Sequence, residues 1–302
     1  MNRLRSRLHP AGRPPVAVEI APGGVLAAAG TVSSEIKYAF RPLPEGAVIP
    51  NATQPNLRSP GVIASAVRSA LEEVSGTMRF VTVLVPDPAV RVFALDFDSL
   101  PDAPADVLAV LRLRLKRVVP FDVEAAKISY QPLSQVDSSC KVLAVVIPGS
   151  VLNEYEAVVR DAGYHAGAVL PSALSALAAL TPDEPILSAY LSSFSLTTSI
   201  TAKNNILLYR THELPQDADE RSAEIQRDIA VAVAYFEDQL RGSPPCVYYA
   251  GNIEAEEFGR SALTQKMPVR GYSSAPHTDC KELPESSNPA GLLGALAGAR
   301  CA

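Results

Sequence analysis

Two periods of apolar and polar positions organise this chain. Over residues 16–41 the period is near two. PVAVEIA alternates and is β-branched, GVLAAAGTV follows a Gly-Gly turn, and EIKYAFRPL follows Ser33-Ser34, which predicts three short strands. Residues 59–75 change to helical spacing, with Val62, Ile63, Val67, Ala70, Leu71 and Val74 on one face behind Ser59-Pro60. RFVTVLVP (79–86) then reads as a buried strand bounded by proline.

The same plan returns from residue 185. PILSAYLSSFSLTTSITAKNNILLYRTHELP (185–215) predicts three strands with a turn at Lys203-Asn204-Asn205, then a helix over 222–240 and a strand, PCVYYAG. At an offset of 171 residues Tyr38 falls on Tyr209 and the PLP at 42–44 on the ELP at 213–215. Two runs of three strands, helix and strand suggest an internal duplication. The middle differs. Residues 86–100 read as a strand hairpin and 103–122 as an amphipathic helix stopped at Pro120. KISYQPL and KVLAVVIP read as paired strands, and 150–166 as a helix ending at Gly163, a suitable left-handed cap.

Composition narrows the classes. The 302 residues allow one large or two small domains, and 47% hydrophobic against 20% charged residues excludes a disordered chain. A net charge of −5 argues against a general nucleic-acid binder. Cys140, Cys246, Cys280 and Cys301 form no CxxC pair and read as separate reduced thiols, and the histidines show no zinc spacing. No apolar run reaches the ~18–20 residues of a membrane span. Residues 1–14 are a basic arm; Glu19 and Pro22-Gly23-Gly24 break the apolar stretch after it and so oppose a signal-peptide reading. The chain contains no GxSxG, GxxxxGK[ST] or GxGxxG pattern, and the sequon at Asn51 is inert in a cytosolic chain. Arg112, Arg114, Lys116 and Arg117 form the strongest positive cluster, either a solvated helix face or a contact for an acidic surface.

AVRVFALDF, a helix, Val119-Pro120-Phe121-Asp122, Tyr130-Gln131, KVLAVVIP and a helix closing on Asp161-Ala162-Gly163 together resemble the M protein of bacterial type IV pilus assembly (PilM). NPAGLLGALAGA (288–299) is similar to that family's last helix, and the likeness runs over roughly residues 15–299. The resemblance implies an α/β, actin-like (ribonuclease H-like) fold. Its two duplicated halves would span 15–85 and 171–302, with a small inserted α/β subdomain and return helix at 86–170.

It also implies two hairpin loops around nucleotide phosphates and a later loop at the adenosine. Here the first Asp-Ile-Gly becomes Glu19-Ile20-Ala21, followed by Pro22, Gly23 and Gly24; Pro22 removes a donor. The second becomes Tyr190-Leu191-Ser192, followed by Ser193, and the third survives as Ala250-Gly251-Asn252. The loops Glu19, Ala21, Gly23, Gly24, Tyr190, Ser192, Ser193, Gly251 and Asn252 therefore read as a degenerate nucleotide site. Phosphoryl transfer depends on positioned charge, so the expectation is no hydrolysis and no assigned catalytic residue, metal or resident cofactor, with ATP·Mg²⁺ binding left open.

The function so implied is a cytoplasmic scaffold, peripheral to the inner membrane. It would hold the N-terminal peptide of a single-pass pilus platform protein (PilN-like) and could meet a cytoplasmic motor ATPase. The expected groove walls are 79–95 and the helix at 105–118. The alternatives are a nucleotide-switched ATPase of the same machine and an L-type component of type II secretion, whose relatives usually continue into a transmembrane helix.

Overall fold

β1 (Val16–Ala21) and β2 (Gly24–Ala29) are buried along almost their whole length, the mark of a sheet covered by helices on both faces. They form an antiparallel hairpin that β3 (Lys37–Pro42) extends. Helix α1 (Pro60–Val74) buries Ile63, Ala64, Val67, Ala70, Leu71 and Val74, while Val62 turns outward. β4 (Phe80–Val85) then lies parallel to β1. The computed structural model describes residues 13–30, 36–136, 139–180, 184–202, 205–262, 267–272 and 288–300. Most of the basic arm, Ser33-Ser34, Lys203-Asn204, Cys280 and Cys301 lie outside the described residues.

The stretch expected to be a hairpin is a 3₁₀ turn at Asp87–Ala89 followed by one strand, β5 (Arg91–Phe97). Pro88 has no N–H to give a ladder, and the Asp87 side chain is bound instead to the Ala173 N–H and the Tyr209 hydroxyl. Helix α2 (Pro104–Leu115) ends in a turn before Pro120. β6 (Ala126–Val136) and β7 (Ser139–Pro148) complete a three-stranded antiparallel sheet in the order β5-β7-β6. Val107, Leu111 and Leu115 of α2 pack against Ile128, Val142, Ala144 and Val146. Strand alternation turns Lys127, Ser129, Val145 and Ile147 to the opposite face.

α3 (Gly149–Asp161) stops at Gly163, whose φ is +90°. The chain then enters β8 (His165–Pro171), which runs parallel to β4 and gives the first sheet the order β3-β2-β1-β4-β8. The small sheet is built from β5, β6 and β7, whereas α3 packs on α1 and β8 closes the first sheet. HAGAVLP has little β-branched character and its ladder shifts register between Val81 and Thr82, so its strand period is hard to read.

After α4 (Ser172–Leu177), the second half runs β9 (Ile186–Leu191), β10 (Ser195–Ala202), β11 (Asn205–Glu213), α5 (Ala218–Leu240), β12 (Val247–Gly251), α6 (Ala255–Ala262) and β13 (Val269–Gly271). Its sheet order is β11-β10-β9-β12-β13, with α5 and α6 on one face. Asp217 caps α5 by accepting from the N–H groups of Asp219 and Glu220. The last helix, α7 (Ala290–Arg300), crosses back: Leu292, Ala295 and Leu296 pack on Ala17, Leu26, Ala28 and Leu84 of the first sheet. Gly294 permits this, because a Cβ there would overlap the Ser175 carbonyl oxygen.

The sequence offset of 171 holds at the level of register. It carries the pair Ala28–Tyr38 onto Ser199–Tyr209 and the pair Glu19–Leu26 onto Tyr190–Thr197. Glu19 and Tyr190 are thus equivalent positions of two repeats. Among the described residues no helix is long and apolar enough to cross a membrane.

Candidate functional site

The ends of β1 and β9 face one another across the seam between the halves, with α4 beneath them. Glu19 is 8% exposed and accepts a hydrogen bond from the Ser172 hydroxyl at 2.5 Å. Burial pushes its carboxyl up to about 7; the Ser172 and Tyr190 hydroxyls work against the rise and the charge of Asp87 adds to it. Asp87 sits in the 3₁₀ turn, accepting from the Ala173 N–H at 3.1 Å and from the Tyr209 hydroxyl at 3.0 Å. Burial raises it to about 6, against those two hydrogen bonds. The Tyr190, Tyr209 and Tyr272 hydroxyls are also pushed up by burial, so all three stay protonated donors.

Above this cluster is a cavity of about 160 Å³ lined by Glu19, Ala21, Pro22, Gly23, Gly24, Phe40, Tyr190, Ser192, Ser193 and Asn252, among others. Tertiary structure therefore brings together all the predicted loop residues except Gly251. That glycine is covered from its own strand: a Cβ there would overlap the Tyr249 hydroxyl. Tyr249 stacks on Phe258 at 4.1 Å in the second core, so it packs rather than offering a face to a base.

The cavity's chemistry does not fit a magnesium nucleotide. Ligand pockets usually hold ~300–1,000 Å³. The Phe40 ring occupies the space over Gly24, where a Cβ would meet it at 2.6 Å. Tyr190 stands where the second repeat would offer a carboxylate. The Ser192 hydroxyl accepts the Ser195 N–H at 3.0 Å and the Phe194 N–H at 3.3 Å, taking up backbone donors that a phosphate loop leaves free. What the cavity does offer is small: Asn252 Oδ1 and Asn288 Nδ2 are buried without a partner among the described residues, a setting for water or a small polar solute.

Three contributors escaped the sequence. Arg221 at the start of α5 donates to the Ser192 and Ser193 carbonyls at 2.7 and 2.9 Å and fixes the second loop. Asp87 and Ser172 carry no motif. The only signal for Asp87 was a charged residue between two prolines after a buried strand.

A second feature is a groove of about 250 Å³ along β8. Its walls are Ala166–Pro171 on one side and Lys127, Ser129, Val145 and Ile147 of the small sheet on the other, closed by Val85, Val90, Leu152 and Glu156. Val85 and Val90 belong to the stretch 79–95, but the helix at 105–118 packs on the opposite face of the small sheet and does not reach the groove.

These features define an actin-like ATPase fold with a small inserted α/β subdomain. No protein-family model matches the chain, and no curated protein sequence does either. Among solved structures it is similar to a PilM–PilN type IV pilus biogenesis complex, at 17% identity and TM-score 0.73, covering 94% of this chain and 98% of that one. It is also similar to the cytoplasmic domain of EpsL, an inner-membrane component of the type II secretion system of Vibrio cholerae. That match has 14% identity and TM-score 0.52, over 85% of this chain and 87% of that one. A Bacteroides thetaiotaomicron protein with an actin-like ATPase fold and unknown function matches at 11% identity and TM-score 0.50, over 92% and 94% of the two chains.

Proposed function

We propose that this protein is a scaffold of a type IV pilus or related secretion platform, working at the cytoplasmic face of the inner membrane. Its groove along β8 would hold the N-terminal peptide of a membrane-anchored, PilN-like partner, and it would hydrolyse no ATP. The observation that carries the reading is the groove itself. β8 is the last strand of its sheet and pairs with β4 alone among the described strands, so its outer edge can take a further strand. The floor beside that edge is apolar, through Val145, Ile147, Val169 and Leu170. An extended peptide would take main-chain hydrogen bonds from β8 and set alternate side chains on the small sheet. The fold match to a PilM–PilN complex supports the choice of peptide. The protein-satisfied cluster at the seam supports a scaffold that keeps its halves together without nucleotide.

The test is fluorescence anisotropy with a labelled N-terminal cytoplasmic peptide of the PilN-type protein from the same genome. Saturable micromolar binding is expected, with Ser129→Arg weakening it at least about tenfold by filling the groove. Absence of saturable binding, or full affinity in S129R, would remove the groove from the function.

A further inference from the structure

The positive cluster at the C-terminal end of α2 and in the turn after it is not used by the groove. α2 covers the face of the small sheet that looks away from it, and its own outer surface is exposed among the described residues. Leu113 is 69% exposed and Val118 55% exposed, so packing within the chain covers neither tip. Between and beside them stand Arg114, Lys116 and Arg117, all exposed. Arg112 is different: it donates to the Val123 carbonyl at 3.1 Å and belongs to the subdomain's own structure.

None of the three outer cations has a carboxylate partner among the described residues, although Arg41, Arg91, Lys141, Arg210 and Arg227 of the same chain all do. Arg114 lies 5.9 Å from the Phe97 ring, which steadies its stem and leaves the charge outward. From Val107 to Phe121 the sequence contains no acidic residue, in a chain whose net charge is −5. Cations at a helix C-terminus complement its dipole, which accounts for one or two of them. It does not account for exposed leucine and valine set among them.

We infer that this outer face of the inserted subdomain lies on an anionic lipid bilayer. Leu113 and Val118 would enter the headgroup region while Arg114, Lys116 and Arg117 contact lipid phosphates. The chemistry selects a bilayer over a folded partner. Protein interfaces concentrate aromatic residues at their core, whereas this ridge sets cations around isolated aliphatic tips and has no exposed aromatic ring. Loosely placed headgroups accept such cations without a matched surface. A polyanion such as nucleic acid would use the charges but give the aliphatic tips nothing to enter.

The experiment is co-sedimentation of the full 302-residue chain with vesicles of phosphatidylcholine alone and with 30% phosphatidylglycerol. Binding to the anionic vesicles only, lost at high salt, is expected. Each of R114Q, K116Q and R117Q should lower the partition coefficient about fivefold, because each cation near an anionic surface adds about that factor. L113S with V118S should lower it about tenfold at constant charge. These positions are exposed, so thermal melting of the variants should match the parent. Deleting residues 2–12 tests whether the basic arm carries the effect, and inorganic phosphate as competitor separates headgroup charge from the bilayer. Equal sedimentation of parent and L113S/V118S, loss of binding on arm deletion alone, competition by millimolar phosphate, or no sedimentation of the parent would each overturn the inference.

Discussion

The Tyr209 hydroxyl, on β11 of the second half, donates at 3.0 Å to Asp87, in the turn that leaves the first half. This buried bond crosses the seam, and the same carboxylate holds the first turn of α4 through the Ala173 N–H. The Glu19–Ser172 bond joins β1 to α4 beside it. In this arrangement buried side-chain hydrogen bonds tie β1, the turn at Asp87, α4 and β11 to one another.

Tyr209→Phe should therefore destabilise the protein by about 1–3 kcal/mol, because it leaves Asp87 Oδ1 buried and unpaired. Urea unfolding of the variant measures this. An unchanged midpoint would mean that water replaces the hydroxyl and that the seam does not depend on it.

The two carboxyls set a pH dependence of definite sign. Their folded values, about 7 for Glu19 and about 6 for Asp87, lie above the usual carboxylate range. The native state then binds more protons than the unfolded chain between roughly pH 4 and 7, so stability falls as pH rises through that window. The loss is on the order of 3 kcal/mol for each group. Melting temperatures should be higher at pH 5 than at pH 8, and Glu19→Gln should flatten that difference while raising stability at pH 8. A flat profile in the parent protein would contradict the burial of the pair.

ATP·Mg²⁺ titrated into the protein should release no binding heat up to millimolar concentration. Pro22 offers no N–H, Phe40 covers Gly24, and the Ser192 hydroxyl already takes the loop's donors. A micromolar dissociation constant by calorimetry would show that the loops open and re-form around phosphate, and would favour a nucleotide-switched mechanism.

Gly294→Val should abolish the fold or cost more than about 3 kcal/mol. The α7–α4 crossing brings backbone to backbone, and neither helix can move without losing the Leu292 and Leu296 contacts on the first sheet. Soluble yield and circular dichroism would register it. Normal expression with a native melting temperature would show that α7 is dispensable to the first half.

Much of the architecture lay open in the primary structure. Strand and helix periods are local, so β1–β4, α1, β6, β7 and the β9–α5 series follow from the side chains of each segment. The duplication was visible at the same offset of 171 that the strand registers keep. The loop residues that line the cavity were legible too, since repeats place equivalent positions at equivalent ends.

What only the fold decided is long-range. β8 lacks a strand-like pattern and forms because β4 needs a parallel neighbour, and α7 belongs to the first half although it follows the second. The seam cluster joins positions 19, 87, 172 and 209, and α2 falls on the far side of the small sheet from the groove. Burial makes those carboxyls what they are, and burial is a property of the packed halves together: no segment by itself could specify that Glu19 and Asp87 would lose their water in the same place.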